Sequence, residues 1–193
     1  MARAGLNTEV VARAAADLLN REGNAALSLA RVAAELGVQS PSLYNHVDGL
    51  DGLERAVALV GVDELAEVCR GAVMGLSGRD ALGALAAAYR GFARRQPGVY
   101  GLTQVARPDD PEFGQKAARV LEPVVAVLAG FGLEGDDLIH AARTLRAALH
   151  GFALLETRHG FGLAVDIDAS FHWMIETLER GLGPADREPR IGA

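Results

Sequence analysis

Cysteine, aromatic residues and positive charge are all scarce in this chain, and each scarcity closes off a class of function. A single cysteine, Cys69, in 193 residues leaves no intramolecular disulfide framework and no multi-cysteine metal site. In the context AEVCRGAV it reads as a small helix residue facing the interior. Aromatics make up 5% of the residues while half are hydrophobic, so the core must be built of Ala, Leu and Val. That is a composition for closely packed helices. The net charge of −6 supplies no general attraction to nucleic acid, so any such site has to be local. The longest apolar run, Pro123 to Leu133, falls short of the ~18 residues that a membrane span requires. The N-terminus, MARAGLNTEVVARAA, is charged from its first turns and has no continuous apolar stretch of the secretory type, which predicts a soluble cytoplasmic protein. The length suits one large or two small domains with a real core.

What is present is helical periodicity. The first helix is expected from Asn7 or Thr8 to about Glu22, with Val10, Ala14, Leu18 and Leu19 recurring and Gly23 closing it. Ser28 should cap a second, Leu29 to Leu36, with Leu29, Val32, Ala33 and Leu36 on its inner stripe. After the turn at Gly37, Ser40 should cap a third helix with Pro41 in its first turn, running to about Val47. Two short helices across a glycine turn, braced by a longer one, make a helix-turn-helix. Downstream the pattern predicts a long helix from Leu50 to Leu76, with Gly61 as a point for it to loosen or bend, and one from an Asp80 cap to about Gln96, ended by Pro97-Gly98. A short piece, Tyr100 to Ala106, follows. A helix from Asp110-Pro111-Glu112, kinked or divided at Pro123, leads to one capped by Asp136 or Asp137 and ending near Arg158. The last runs from Asp168 to Leu182, and the tail, 184–193, is expected to be disordered. No alternating strand is convincing, so the fold class is all-α.

The third helix is odd. SPSLYNHV gives only about two turns, too short to be stable alone. It spends Ser42, Tyr44, Asn45 and His46 on faces that Leu43 and Val47 do not occupy. Together the two helices, the glycine turn and LGVQSPSLYNHVDGLDGL resemble the N-terminal domain of TetR-family transcriptional regulators, over about Thr8 to Leu53. LRAALHGFALLE, Leu145 to Glu156, resembles the His-Gly motif of one group of TetR C-terminal domains. The resemblance implies a three-helix DNA-binding domain, 1–49, followed by a larger helical domain, 50–183, that binds a small effector and dimerises. It places Gln39, Ser40, Pro41 and Ser42 at base edges, with Tyr44, Asn45 and His46 on the DNA backbone. Arg31 is a further DNA-contact candidate. The chemistry agrees: glutamine pairs with adenine, hydroxyls donate or accept, and proline packs on a thymine methyl, while Tyr44 and His46 offer hydrogen bonds to phosphate.

Two positions depart from the family pattern. Leu50 stands where many members have a phosphate-gripping lysine, and Ala30 where the tetracycline repressor has an arginine. Residues 1–47 also balance four arginines (Arg3, Arg13, Arg21, Arg31) against four acids (Glu9, Asp17, Glu22, Glu35). Modest affinity for nonspecific DNA and a shallow salt dependence are therefore expected.

Other chemistries find less support. Gly130-Phe131-Gly132-Leu133-Glu134-Gly135 fits the spacing of a dinucleotide fingerprint, but a single candidate strand with helical flanks makes no parallel sheet. His140 and His150 are ten residues apart, no HExxH pair exists, and the paired aspartates sit at helix starts. No catalytic residue, metal or cofactor is expected. Tyr89, Phe92, Tyr100, Thr103, Gln104, Phe113, Arg146 and His150 interrupt an Ala/Leu-rich background and are the effector-binding candidates. The last two helices, with Leu145, Leu149, Phe152, Leu155, Phe171, Ile175 and Leu178, suit a homodimer interface. The function expected is a dimeric repressor released from a palindromic operator by a small molecule. The alternative is an all-α ligand-binding or enzymatic domain that never meets DNA.

Overall fold

Capping residues set the first helices. Asn7, itself extended, accepts the Val10 N–H at 2.9 Å through its side chain and starts α1, Thr8–Glu22. Ser28 does the same for the Arg31 N–H at 3.3 Å and starts α2, Leu29–Leu36. Gly37, at φ 65°, ends α2 with its N–H on the Ala33 and Ala34 carbonyls, and the Val38 N–H reaches the Ala33 carbonyl at 2.9 Å. The computed structural model describes residues 5–23 and 26–182, and every regular element among them is helical. The tail 184–193 lies outside the described residues.

The segment after Gly37 is a 3-10 helix, Ser40–Asn45, and not an α-helix. Gln39 takes the cap position with no side-chain hydrogen bond, so Ser40 is not the cap. Six residues are enough for the tighter i→i+3 pattern, which is favoured in such short pieces.

Downstream, α3 spans Gly49–Val73, α4 Gly78–Arg95, α5 Pro97–Thr103, α6 Pro111–Ala129, α7 Gly135–Thr157 and α8 Ile167–Leu182. Several expected boundaries shift. Asp80 lies in the first turn of α4 and does not cap it. Pro97 begins α5 instead of merely ending α4, since a proline in a first turn forfeits no helical N–H bond. Pro123 leaves α6 undivided. The cap position of α7 belongs to Glu134, with Asp136 and Asp137 in the first turn, where they suit the helix dipole. The buried face of α1 is Val11, Ala12, Ala15, Ala16, Leu18 and Leu19, so Val10 and Ala14 are only half-buried. The paired valines at 10 and 11 allow both phases, and packing against the rest of the core selects the second.

Cα packing divides the described chain into two compact units. The first holds the residues up to Ala66 together with Arg95–Arg119; the second holds Glu67–Arg94 and the residues from Val120 on. In the first unit α1 packs on both α2 and α5, and α2 on the 3-10 helix. Gly98 makes the α1–α5 contact possible, because a Cβ there would lie 2.7 Å from the Leu19 carbonyl oxygen. Gly61 does not break α3; a Cβ on it would meet the Val99 and Thr103 side chains at 2.4 and 2.8 Å. Around this seam Asn20 Nδ2 donates to Gln96 Oε1 at 3.4 Å, Gln96 Nε2 to Glu64 at 2.9 Å, and Arg13 Nη1 to Glu64 at 3.1 Å.

In the second unit, Leu82, Leu85, Tyr89 and Phe92 of α4 are buried, as are Leu145, Leu149 and Phe152 of α7 and Phe171 and Ile175 of α8. Arg90 is buried with them. Its Nε and Nη2 donate to Glu156 at 2.7 and 2.6 Å, and Nη2 also lies 2.7 Å from Asp168. The guanidinium carbon sits 4.5 Å from the Phe171 ring centroid and 5.4 Å from that of Phe152. The cluster joins α4, α7 and the first turn of α8. Cys69 is buried as expected, and burial pushes its thiol up to about 12, which keeps it protonated and unreactive. No helix among the described residues is long and apolar enough to cross a membrane.

Candidate DNA-binding interface and effector region

The 3-10 segment is anchored from beneath and open above. Leu43 is fully buried and Val47 nearly so, which seats the segment on the α1–α2 pair. The Thr8 hydroxyl donates to the His46 carbonyl at 3.0 Å and ties the end of the segment to the start of α1. From that base Gln39, Pro41 and Asn45 are exposed, and Tyr44 is 62% exposed. Ser40, Ser42 and His46 are half-buried. The residues expected to meet DNA thus leave a largely exposed polar rim around the buried Leu43 and Val47. Arg31, exposed on α2, is engaged by Glu22, its guanidinium 2.5 Å from that carboxylate.

The electrostatics of this unit are muted. Arg13 pairs with Glu9 and Glu64, both at 3.1 Å, and Arg21 with Glu35 at 2.8 Å. Arg55 pairs with Asp110 at 2.6 Å and Glu112 at 2.8 Å. With Arg31, every described arginine up to Ala66 has a carboxylate partner. Such surface pairs contribute little to stability, but they cancel charge that would otherwise attract phosphate. The log–log salt slope of DNA binding is therefore expected to be shallower than the roughly −5 to −9 of a binder that neutralises six to ten phosphates. A fluorescence-anisotropy titration over increasing salt measures it, and a slope in that steep range would contradict the expectation.

The effector candidates fall into both units. Tyr100 and Thr103 on α5 are buried; the Thr103 hydroxyl donates to the Tyr100 carbonyl at 2.7 Å, and Gln104 Nε2 donates to the Thr103 hydroxyl at 2.9 Å. Phe113, in the first turn of α6, is buried and its N–H is capped by Asp110 at 3.1 Å. Tyr89 and Phe92 are buried on α4. Arg146 is exposed and His150 half-buried on α7, four residues apart.

His150 reports its surroundings through its proton. Burial, and then the charges of Arg146 and Arg158, hold the imidazole below its ordinary value. Folding therefore favours the neutral ring. That contribution to stability is complete above about pH 6.5 and is lost as pH falls through the folded-state value. Between about pH 7 and pH 5, the melting temperature of the native chain should fall more steeply than that of His150→Gln. Equal slopes would remove His150 from the account.

Sequence reasoning missed Arg90 and Glu156, because nothing in a local pattern marks a cation as buried against a partner 66 residues away. It also missed the groove beside Arg107, which lies between the short piece ending at Ala106 and the helix opened at Asp110.

Two family models cover most of this architecture. Residues 11–57 match the family described as bacterial regulatory proteins, tetR family, and residues 82–178 the tetracyclin repressor-like C-terminal domain. The HTH-type transcriptional regulator Rv0681 of Mycobacterium tuberculosis, itself uncharacterised, is 38% identical over 93% of this chain and 83% of its own length. The chain belongs to the TetR family. YobS of Bacillus subtilis, another uncharacterised HTH-type regulator, is 31% identical over 93% of the chain and 94% of its own. Among solved structures, a Rhodococcus sp. RHA1 protein of unknown function superposes with a TM-score of 0.80 at 24% identity, covering 94% of this chain and 97% of that one. TetR from Acinetobacter baumannii AYE gives 0.71 at 22% identity, covering 92% and 96%. A TetR-family chain with this N-terminal domain is a DNA-binding transcriptional regulator, and the all-α fold with a helix-turn-helix followed by a larger helical part agrees with that.

Proposed function

We propose that this TetR-family regulator is a homodimeric cytoplasmic repressor that leaves a palindromic operator when a small molecule binds. The observation that carries the reading is the polar rim on the buried Leu43–Val47 footing. Gln39, Ser40, Pro41 and Ser42 face base edges in it, while Tyr44, Asn45 and His46 hold the phosphates. Residues 1–49 act as the DNA-binding domain and 50–183 bind the effector and dimerise. Two copies of the segment, roughly 34–36 Å apart, enter successive major grooves.

The dimer surface is assigned to α7 and α8, but not through all the residues that periodicity suggested. Leu145, Leu149, Phe152, Phe171 and Ile175 are buried within the single chain and are unavailable to a partner. Leu155 at 48% and Trp173 at 66% exposure remain on the outside of these helices, with Leu178 half-buried. Their apolar area is what a second copy would cover.

An effector that binds one dimer spacing better than the other lowers operator affinity by that difference. Footprinting the chain on its own genomic DNA tests the reading. A protected palindrome with half-sites one helical turn apart is expected. Failure to select any sequence above excess competitor would overturn it.

A further inference from the structure

Between α5 and α6 the chain encloses an open groove of about 530 Å³, lined by Arg55 and residues 106–111. All of it belongs to the first unit, which also carries the 3-10 segment. The two guanidinium groups in the groove are held differently. Arg55 is saturated: its Nε and Nη2 donate to the two Asp110 oxygens at 2.6 and 3.0 Å, and Nη2 to Glu112 at 2.8 Å. Asp110 is committed as well, because it accepts the Phe113 N–H that opens α6. Arg107 has nothing. Its Nε is buried without a hydrogen-bond partner, and no ion pair or hydrogen bond ties its side chain among the described residues. A guanidinium cannot shed its charge, and an unmet buried N–H is costly to leave so.

We infer that this groove binds a small molecule carrying one carboxylate, which accepts hydrogen bonds from the Arg107 guanidinium. Ala106, Pro108 and Pro111 supply an apolar wall for the rest of the ligand. One negative charge matches the one unpaired cation. A dianion would face Asp109, Asp110 and Glu112 with nothing further to neutralise it. A cation could pair with the exposed Asp109 but would still leave the Arg107 Nε unmet. The inference rests on the effector-responsive reading above and gives that effector a chemical class. Arg55 lies six residues into α3, which begins directly after the reading segment. A carboxylate docked at Arg107 therefore sits beside the Arg55–Asp110 clasp, where a preference for one arrangement of the clasp would be felt by that segment.

Benzoate and its neutral isostere benzamide, added to the full chain, test the site. The Arg107 Nε–H resonance, identified by its loss in Arg107→Lys, reports occupancy by NMR. Benzoate is expected to shift it saturably with a Kd on the order of 1 mM, the affinity a fragment of this size reaches. Benzamide should bind at least ~10-fold more weakly, and Arg107→Gln should lose benzoate by a similar factor with no fall in melting temperature. No saturable shift, equal shifts from both probes, or full binding by Arg107→Gln would each overturn the inference. The benzoate and benzamide comparison on the native chain decides the matter even if the variant folds poorly. DNA retardation on the same preparations separates the two readings. Retardation without benzoate binding refutes this site alone, whereas benzoate binding without any sequence-specific retardation refutes the repressor.

Discussion

Tyr44→Ala is expected to abolish operator retardation while leaving the melting temperature, the oligomeric state and ligand binding unchanged. The side chain is 62% exposed, so its removal takes almost nothing from the core. Its neighbour Leu43 is fully buried and holds the segment in place without it. A hydrogen bond from a neutral donor to a charged phosphate contributes about 1.5–3 kcal/mol. A symmetric dimer makes it twice, so the expected loss is about 3–6 kcal/mol, or roughly two to four decades in affinity. Tyr44→Phe, which keeps the ring and loses only the hydroxyl, should fall by most of that amount. Leu43→Ala is the contrasting variant. It should lower stability by about 2–5 kcal/mol through the cavity it opens, and weaken DNA binding as a consequence. A Tyr44→Ala protein that retards the operator as well as the native chain would remove this tyrosine from the interface.

The largest effect on stability is expected in the second unit, from Glu156→Ala. Arg90 and Glu156 are 9% and 12% exposed at their side chains, and the variant would strand a guanidinium that cannot neutralise itself. Hydrogen bonding to Glu156 already holds the Arg90 group above its ordinary value, so the charge persists at any working pH. Breaking a buried pair from one side costs about 3–5 kcal/mol. Asp168, 64% exposed, approaches the same guanidinium from solvent, so Asp168→Asn should cost far less than Glu156→Ala. The double replacement Arg90→Met with Glu156→Leu removes both charges and lets Phe152 and Phe171 pack against apolar chains. It should recover most of the loss, because well-packed apolar replacements of buried pairs are often neutral or better. Urea denaturation of the four proteins measures all of this. If Glu156→Ala proved no worse than Asp168→Asn, the pair would have no special structural weight.

Much of the fold was legible because its punctuation is chemical. Ser28 and Gly37 fix α2 at both ends, and the structure places it at Leu29–Leu36 as read. Gly130, Gly132 and Gly135 lie at or between the ends of α6 and α7, as the helical reading of that stretch requires. Errors arose where several residues could do one job. An aspartate in a first turn suits the dipole whether or not it caps, so Asp80, Asp136 and Asp137 looked like caps and are not. Periodicity identified the apolar stripe of α8 but could not say which side the chain itself covers. Phe171 and Ile175 went inward while Trp173, between them in sequence, stayed outside. The polar rim from Gln39 to His46 was found through residue type and resemblance together. Arg107 was not, since an unpaired guanidinium is a property of its surroundings, and those come from elsewhere in the chain.

The seat of Gly98 on Leu19 has a mechanical meaning. Where helices meet through side chains, rotamers absorb small displacements, and the joint has play. At Gly98 the main chain of α5 rests directly on the carbonyl and Cβ of Leu19 in α1. At this point a shift of α5 has little rotamer freedom to absorb it and is expected to press on α1. At the far end of α1, the Thr8 hydroxyl hands it to His46. If α5 moves when the Arg107 groove fills, this joint is the direct route by which Tyr44 is expected to feel it.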